Sequence, residues 1–284
     1  MLKNRLIPVI LLRNGVVVQS RGFKRYQPLG NPVAMVRRLN TWMADELVYI
    51  DISPPNEDAR LNHAGMTVSE DILAIIKSVS EASFMPLTFG GGIRTGEDIN
   101  LRLAAGADKV TINTQALAQP EFITESARIF GSQCIVVSID VKINEAEQYE
   151  VMTERGRVAT GRHPVAWAEE AEQRGAGEIF LNSIDRDGAG NGYDLELLKM
   201  VGGAVSIPVI ACGGVGNWQH FGDGLEIGGA SAVAAANIFN YTEQSVHNAK
   251  KFLYDKGLNV RKPELVADHL RDKSSVRDPM RAIT

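Results

Sequence analysis

Pro86-Leu87-Thr88-Phe89-Gly90-Gly91-Gly92-Ile93 returns later in the chain as Pro208-Val209-Ile210-Ala211-Cys212-Gly213-Gly214-Val215, a short apolar run that stops at glycines, written twice. Working outward, Gly106-Ala107-Asp108-Lys109-Val110 is echoed by Gly229-Ala230-Ser231-Ala232-Val233, segment 46–50 by 178–182, and 7–11 by 136–140. Four runs in the first half answer four in the second, as in an internal repeat. The eight runs, at 5–12, 46–52, 86–89, 109–112, 134–140, 178–182, 208–212 and 232–235, are apolar along their length, as strands buried on both faces require. Between them, 32–45, 68–82, 97–105, 120–130, 165–174 and 195–201 carry apolar residues at three- and four-residue spacing, which predicts outer helices. This alternation predicts one α/β domain, a (β/α)8 TIM barrel with an internal half-barrel repeat, over 1–260, and a polar tail over 261–284.

Composition fits that picture. The chain has 284 residues, 44% of them hydrophobic and 23% charged, with a formal charge of −4. No basic field is present to attract a phosphate backbone, so no nucleic-acid partner is expected. Cys134 and Cys212 both sit in apolar runs and read as small buried hydrophobes rather than as a disulfide or a nucleophile. The apolar stretch after Met1-Leu2-Lys3-Asn4-Arg5 is too brief for a membrane span and lacks a cleavage site, which places the expected protein in the cytoplasm. No His/Cys/Asp cluster has metal spacing, His269 in the tail reads as solvated, and neither a metal nor a cofactor is expected.

In such a barrel the chemistry gathers where the strands end. Gly91 and Gly92 close the third run and Gly213 and Gly214 the seventh, while Asn113-Thr114 and Asn237 follow the fourth and eighth. Backbone amides of a glycine turn can cradle an anion, so each half offers one phosphate site; the alternative is that these glycines only make tight turns. The fifth run ends at Asp140, a carboxylate suited to general acid or base work. The sixth ends in Ser183-Ile184-Asp185-Arg186-Asp187-Gly188, where Asp187 and Gly188 join the second cradle and Asp185 and Arg186 can equally form structural salt bridges. At the opposite pole Arg5, Glu46, Lys109 and Glu178 stand at the starts of runs one, two, four and six. Two cations and two anions there would form a ring, and by default such a ring serves stability.

Several of these motifs occur together in one family. Residues 1–260, through Asp45-Glu46-Leu47-Val48-Tyr49-Ile50-Asp51-Ile52, Phe89-Gly90-Gly91-Gly92-Ile93, Ala107-Asp108-Lys109-Val110-Thr111-Ile112-Asn113-Thr114 and Ser183-Ile184-Asp185-Arg186-Asp187-Gly188, resemble the cyclase subunit of imidazole glycerol phosphate synthase. The resemblance implies a substrate with a phosphate at each end and a glutaminase subunit docked on the amino-terminal face. It also implies that Arg5, Glu46, Lys109 and Glu178 gate the entry of ammonia and that Asp108 contacts the glutaminase. The family's paired catalytic aspartates fall on Leu11 and Asp140, and an expected lysine falls on Gln19. Leucine cannot move a proton. These departures, the Phe23-Lys24 loop and the stretch Gly228-Gly229-Ala230-Ser231-Ala232-Val233-Ala234-Ala235 resemble a divergent branch, the acetamidino-modification proteins of bacterial surface-sugar pathways. That likeness implies ammonia passed toward a sugar amidotransferase. Histidine-pathway cyclization and a scaffold that only activates its glutaminase are the alternatives.

Overall fold

A computed structural model of the chain describes residues 3–54, 71–241 and 245–263. Eight strands run parallel: β1 (Arg5–Arg13), β4 (Leu47–Asp51), β5 (Leu87–Gly90), β6 (Lys109–Ile112), β7 (Ile135–Ile143), β10 (Glu178–Ser183), β11 (Val209–Cys212) and β12 (Ala232–Ala235). Each pairs with the next, β12 pairs with β1, and β7 pairs with β10 from Val136↔Glu178 to Val141↔Ser183, so the sheet closes into the expected (β/α)8 barrel. The expected strands fall within a residue or two of these, except that β7 runs three residues past the expected end at Asp140. His269 and most of the tail lie outside the described residues.

Helices α1 (Pro32–Thr41), α2 (Ile72–Ala82), α3 (Gly96–Ala104), α5 (Glu121–Phe130), α6 (Pro164–Gln173) and α7 (Leu195–Ala204) follow the periodic segments, and α4 (Thr114–Ala118), α8 (Trp218–Glu226) and α9 (Ser245–Asp255) add to them. Their starts are set by side chains. Asn31 accepts from Val33 N at 2.8 Å ahead of Pro32, Thr95 and Asp98 form a capping box, and Asp194 and Asn217 cap α7 and α8. The helix expected over 32–45 stops at Thr41, because Met43 takes a positive φ of 55° and Asp45 is needed at the start of the next strand.

Four antiparallel strands were not expected. Beyond β1 the chain turns back as β2 (Val16–Arg21) and β3 (Arg25–Gly30), and beyond β7 as β8 (Tyr149–Thr153) and β9 (Val158–Ala159). Each half-barrel therefore opens with a strand that overruns the barrel and carries a hairpin above its carboxyl end.

Apolar residues form two bodies. One, including Leu39, Val79, Phe89, Trp167 and Phe221, lies between the strands and the helices. The other fills the barrel with Ile7, Val9, Val48, Val136, Phe180, Ile210, Ala232 and Ala234. Helix α9 is fastened below by a buried ion pair: Lys250, 2% exposed, donates from Nζ to Asp45 Oδ1 at 2.7 Å and to the Met43 carbonyl. The other Asp45 oxygen accepts from Leu6 N at 2.9 Å. Burial draws the Lys250 pKa down, and Asp45 opposes that shift. Removing one partner strands the other charge, so Lys250→Met is expected to cost about 3–5 kcal/mol in urea unfolding. A loss below about 1 kcal/mol would mean that Arg261, whose Nε stands 3.6 Å from Asp45, takes over the contact.

Candidate functional site

At the amino-terminal mouth four charged side chains close on one another. Arg5 meets Glu46 at 2.6 Å and Glu178 at 2.9 Å, and Lys109 Nζ meets the same two glutamates at 3.0 and 3.1 Å. Each cation bridges both anions. Thr88 Oγ1 adds a donor to Glu46 at 2.9 Å. Burial works against the Arg5 charge, but Glu46 and Glu178 outweigh it and raise its pKa. Asp108, the exposed neighbour of Lys109, accepts from Leu87 N at 2.8 Å on this same face.

Above the ring stands the apolar column, in which β12 contributes only alanines, and Leu11, Ile50, Cys212 and Ala236 pack on its upper end. Leu11 thus faces inward, as the half-barrel counterpart of Asp140. Asp140 also faces inward, with Asn113 Nδ2 donating to its Oδ2 at 2.7 Å and Asn182 Nδ2 to its Oδ1 at 3.1 Å. The carboxyl meets an apolar floor and two neutral amides, and among the described residues no cation is paired with it. Burial pushes its pKa up to about 6; the Asn182 bond opposes this, the charge of Asp187 adds to it, and the Asn113 bond opposes it.

The second cradle is a cavity of about 240 Å³ whose lining includes Asp187, Gly188, Gly213, Gly214 and Asn237, the five residues singled out in the sequence. Gly213 and Gly214 take positive φ values of 96° and 97°, and a β-carbon on Gly214 would lie 2.2 Å from the Gly192 carbonyl oxygen. Only glycine fits there. Arg21, Cys212 and Tyr241, not read as site residues, line the same cavity. Burial drives the Cys212 thiol far above its ordinary pKa, so it stays neutral.

Arg21 arrives on the β2–β3 hairpin, which is clipped down at several points. Asp187 Oδ2 accepts from Ser20 Oγ at 3.1 Å and Phe23 N at 3.2 Å, the Asp187 carbonyl accepts from Gly22 N, and Asn237 Nδ2 donates to the Ser20 carbonyl at 2.7 Å. Gln19 donates to the Tyr241 hydroxyl. The Asp187 carboxylate is therefore occupied in holding the hairpin, and burial raises its pKa.

At the first cradle Gly91 and Gly92 have φ values of 97° and 66°, and a β-carbon on Gly91 would strike the Asp51 backbone. Asn113 and Thr114 follow the neighbouring strand, but the Thr114 hydroxyl is paired with Thr153 Oγ1 at 3.0 Å, on the β8–β9 hairpin. Arg102 of α3 donates to the Gly91 carbonyl at 3.0 Å. Asp185, beside the second cradle, is exposed and accepts from Ile143 N at 2.7 Å.

The raised Asp140 pKa has a consequence for stability. Because it lies above the unfolded value of about 3.9, folding favours the protonated form. Its contribution is full below about pH 4 and is lost as pH rises through 6. Asp140→Asn is expected to remove this slope and to exceed the parent by about 3 kcal/mol above that pH, with Asn113 free to turn its unpartnered Oδ1 toward the new amide. Urea midpoints taken on both sides of the transition would test this, and equal slopes in the two proteins would assign the titration to another group.

Among the described residues no helix is long and apolar enough to cross a membrane. Residues 5–245 match the family model described as histidine biosynthesis protein, whose members are typically enzymes. With its closed eight-stranded parallel barrel, which fits the cyclase-like resemblance, the chain belongs to the histidine biosynthesis protein family.

Proposed function

We propose that this barrel takes up ammonia from a glutaminase docked on its amino-terminal face and passes it along its core for the amidination of a surface-polysaccharide sugar by a partner amidotransferase. The observation that carries this reading is a contrast between the poles. At the entry, Arg5, Glu46, Lys109 and Glu178 form a complete ring. At the exit, the position opposite Asp140 holds Leu11, so only half of a proton-moving pair is present. A ring that served stability alone could be replaced by packed apolar side chains at little cost. Neutral ammonia crosses an apolar column far more cheaply than hydrated ammonium does. Phe84, 86% exposed in the loop leading into β5, and the exposed Asp108 both stand on the entry face and suit a protein contact.

The two cradles support a second reading, cyclization of a substrate carrying a phosphate at each end. Leu11 weighs against it, since a general acid or base contributes about 10²–10⁴-fold to rate. The two readings separate in an assay of the phosphorylated aminoimidazole precursor supplied with ammonium salt: slow turnover, partly restored by Leu11→Asp, is expected, and full cyclase turnover by the parent would reverse the order.

For the partner, glutamine hydrolysis by the cognate glutaminase is expected to rise on mixing and to fall severalfold with Asp108→Ala. Lys109→Ala is expected to keep hydrolysis while product per glutamine drops. If no complex forms, or if both variants match the parent, the ring is structural only.

A further inference from the structure

The two glycine cradles are built on matching elements but charged differently. Helices α3 and α8 each span nine residues, each begins with a side-chain N-cap, Thr95 and Asn217 respectively, and the seventh residue is Arg102 in one and Gly224 in the other. At Gly224 a β-carbon would lie 2.8 Å from the Tyr193 ring, so the aromatic takes the room that a side chain would need. Arg102 instead reaches under the first cradle. Its Nη2 donates to the Gly91 carbonyl at 3.0 Å and its Nη1 to the Asp98 carbonyl at 2.9 Å, and a β-carbon on Gly92 would sit 3.8 Å from Nη2.

Charge makes this placement costly. Arg102 is 7% exposed and its Nε is buried without a hydrogen-bond partner. Among the described residues the nearest carboxylate oxygen, on Asp98, stands 4.0 Å away, with Asp51 contributing less, and the other oxygen of the Asp98 carboxylate is taken up in capping α3. A buried guanidinium so weakly countered calls for an anion. The Gly91 carbonyl and the Gly92 amide belong to one peptide unit, so a cation on the carbonyl polarises the amide and strengthens it as a donor. In the second half the cation is Arg21, which lines the cavity from the hairpin.

We propose that Arg102 charges the first cradle from behind and Arg21 charges the second from in front, so that a ligand with an anionic group at each end is held by two different devices. Arg102 is fixed in the helix layer; Arg21 is in place only while the hairpin is clipped to Asp187. This rests on the reading that the cradles bind anions.

The test is a titration with inorganic phosphate followed by the amide resonances of ¹⁵N-glycine-labelled protein. In the parent, Gly91 and Gly92 are expected to shift along with Gly213 and Gly214. Arg102→Met should weaken the first pair's titration about tenfold or more and spare the second, and Arg21→Met should do the reverse. Should Arg102→Met fold poorly, Arg102→Lys keeps the charge, loses the double carbonyl contact, and is expected to weaken the first pair alone. An unchanged first-pair titration in these Arg102 variants, or uniform weakening of both pairs, overturns the role of Arg102. If no glycine moves in the parent, the cradle reading itself fails.

Discussion

Closing the sheet between β7 and β10 obliges alternate residues of every barrel strand to point into a narrow column shielded from water. The rest of the molecule follows from that. Inward positions at mid-height are apolar except for the small hydroxyls of Thr111 and Ser138, and charged groups are confined to the ends, where they find one another. At the lower end charges meet charges and saturate in a ring. At the upper end Asp140 meets the amides of Asn113 and Asn182, and no described cation neutralises it. The same closure brings the strand ends so near that Gly91 lies against Asp51 and Gly213 against Ser183, which leaves backbone rather than side chains to form the floors of both cradles.

The parts of the fold legible in the sequence were those governed by period and repetition. Strands buried on both faces read as unbroken apolar runs, and the doubled glycine stops marked where the third and seventh barrel strands end. The Asn14-Gly15 turn of the first hairpin, with φ values of 49° and 77°, is a strong local signal, but Val16-Val17-Val18 continues the apolar run of β1 and blurs it. Helix α8 was harder to see because Gly222 and Gly224 dilute its pattern, and Gly224 is explained only by Tyr193 and Val233, neighbours from other elements. Within the site, strand-end residues were readable because barrel geometry dictates where strand ends meet. Arg21 and Arg102 were not, since nothing local says that a hairpin folds back onto Asp187 or that a helix side chain reaches under Gly91.

The half-barrels share a scaffold and differ in what they place on it. Leu11 stands where the other half has Asp140, Lys109 where it has Ala232, and Arg102 where it has Gly224. Backbone features are kept in both copies: the glycines with positive φ, the capped helix starts and the hairpin that follows each opening strand. Sterics constrain the two halves alike, because a β-carbon in either turn collides with a neighbouring strand. Charge carries no such constraint, and it is in charge that the halves have parted.

The buried pair of Lys250 and Asp45 also bears on how the chain completes itself during synthesis. Asp45 emerges from the ribosome long before Lys250, and β1 before its second neighbour β12. Until α9 follows, the Asp45 carboxylate lacks the Lys250 cation that accompanies it into the interior, and until β12 follows, one edge of β1 stays open to water. The first half-barrel must therefore wait with a hydrated carboxylate and an unpaired strand edge, the kind of surface that invites wrong pairing. The arrival of a single lysine from the end of the barrel lets the earliest strand settle.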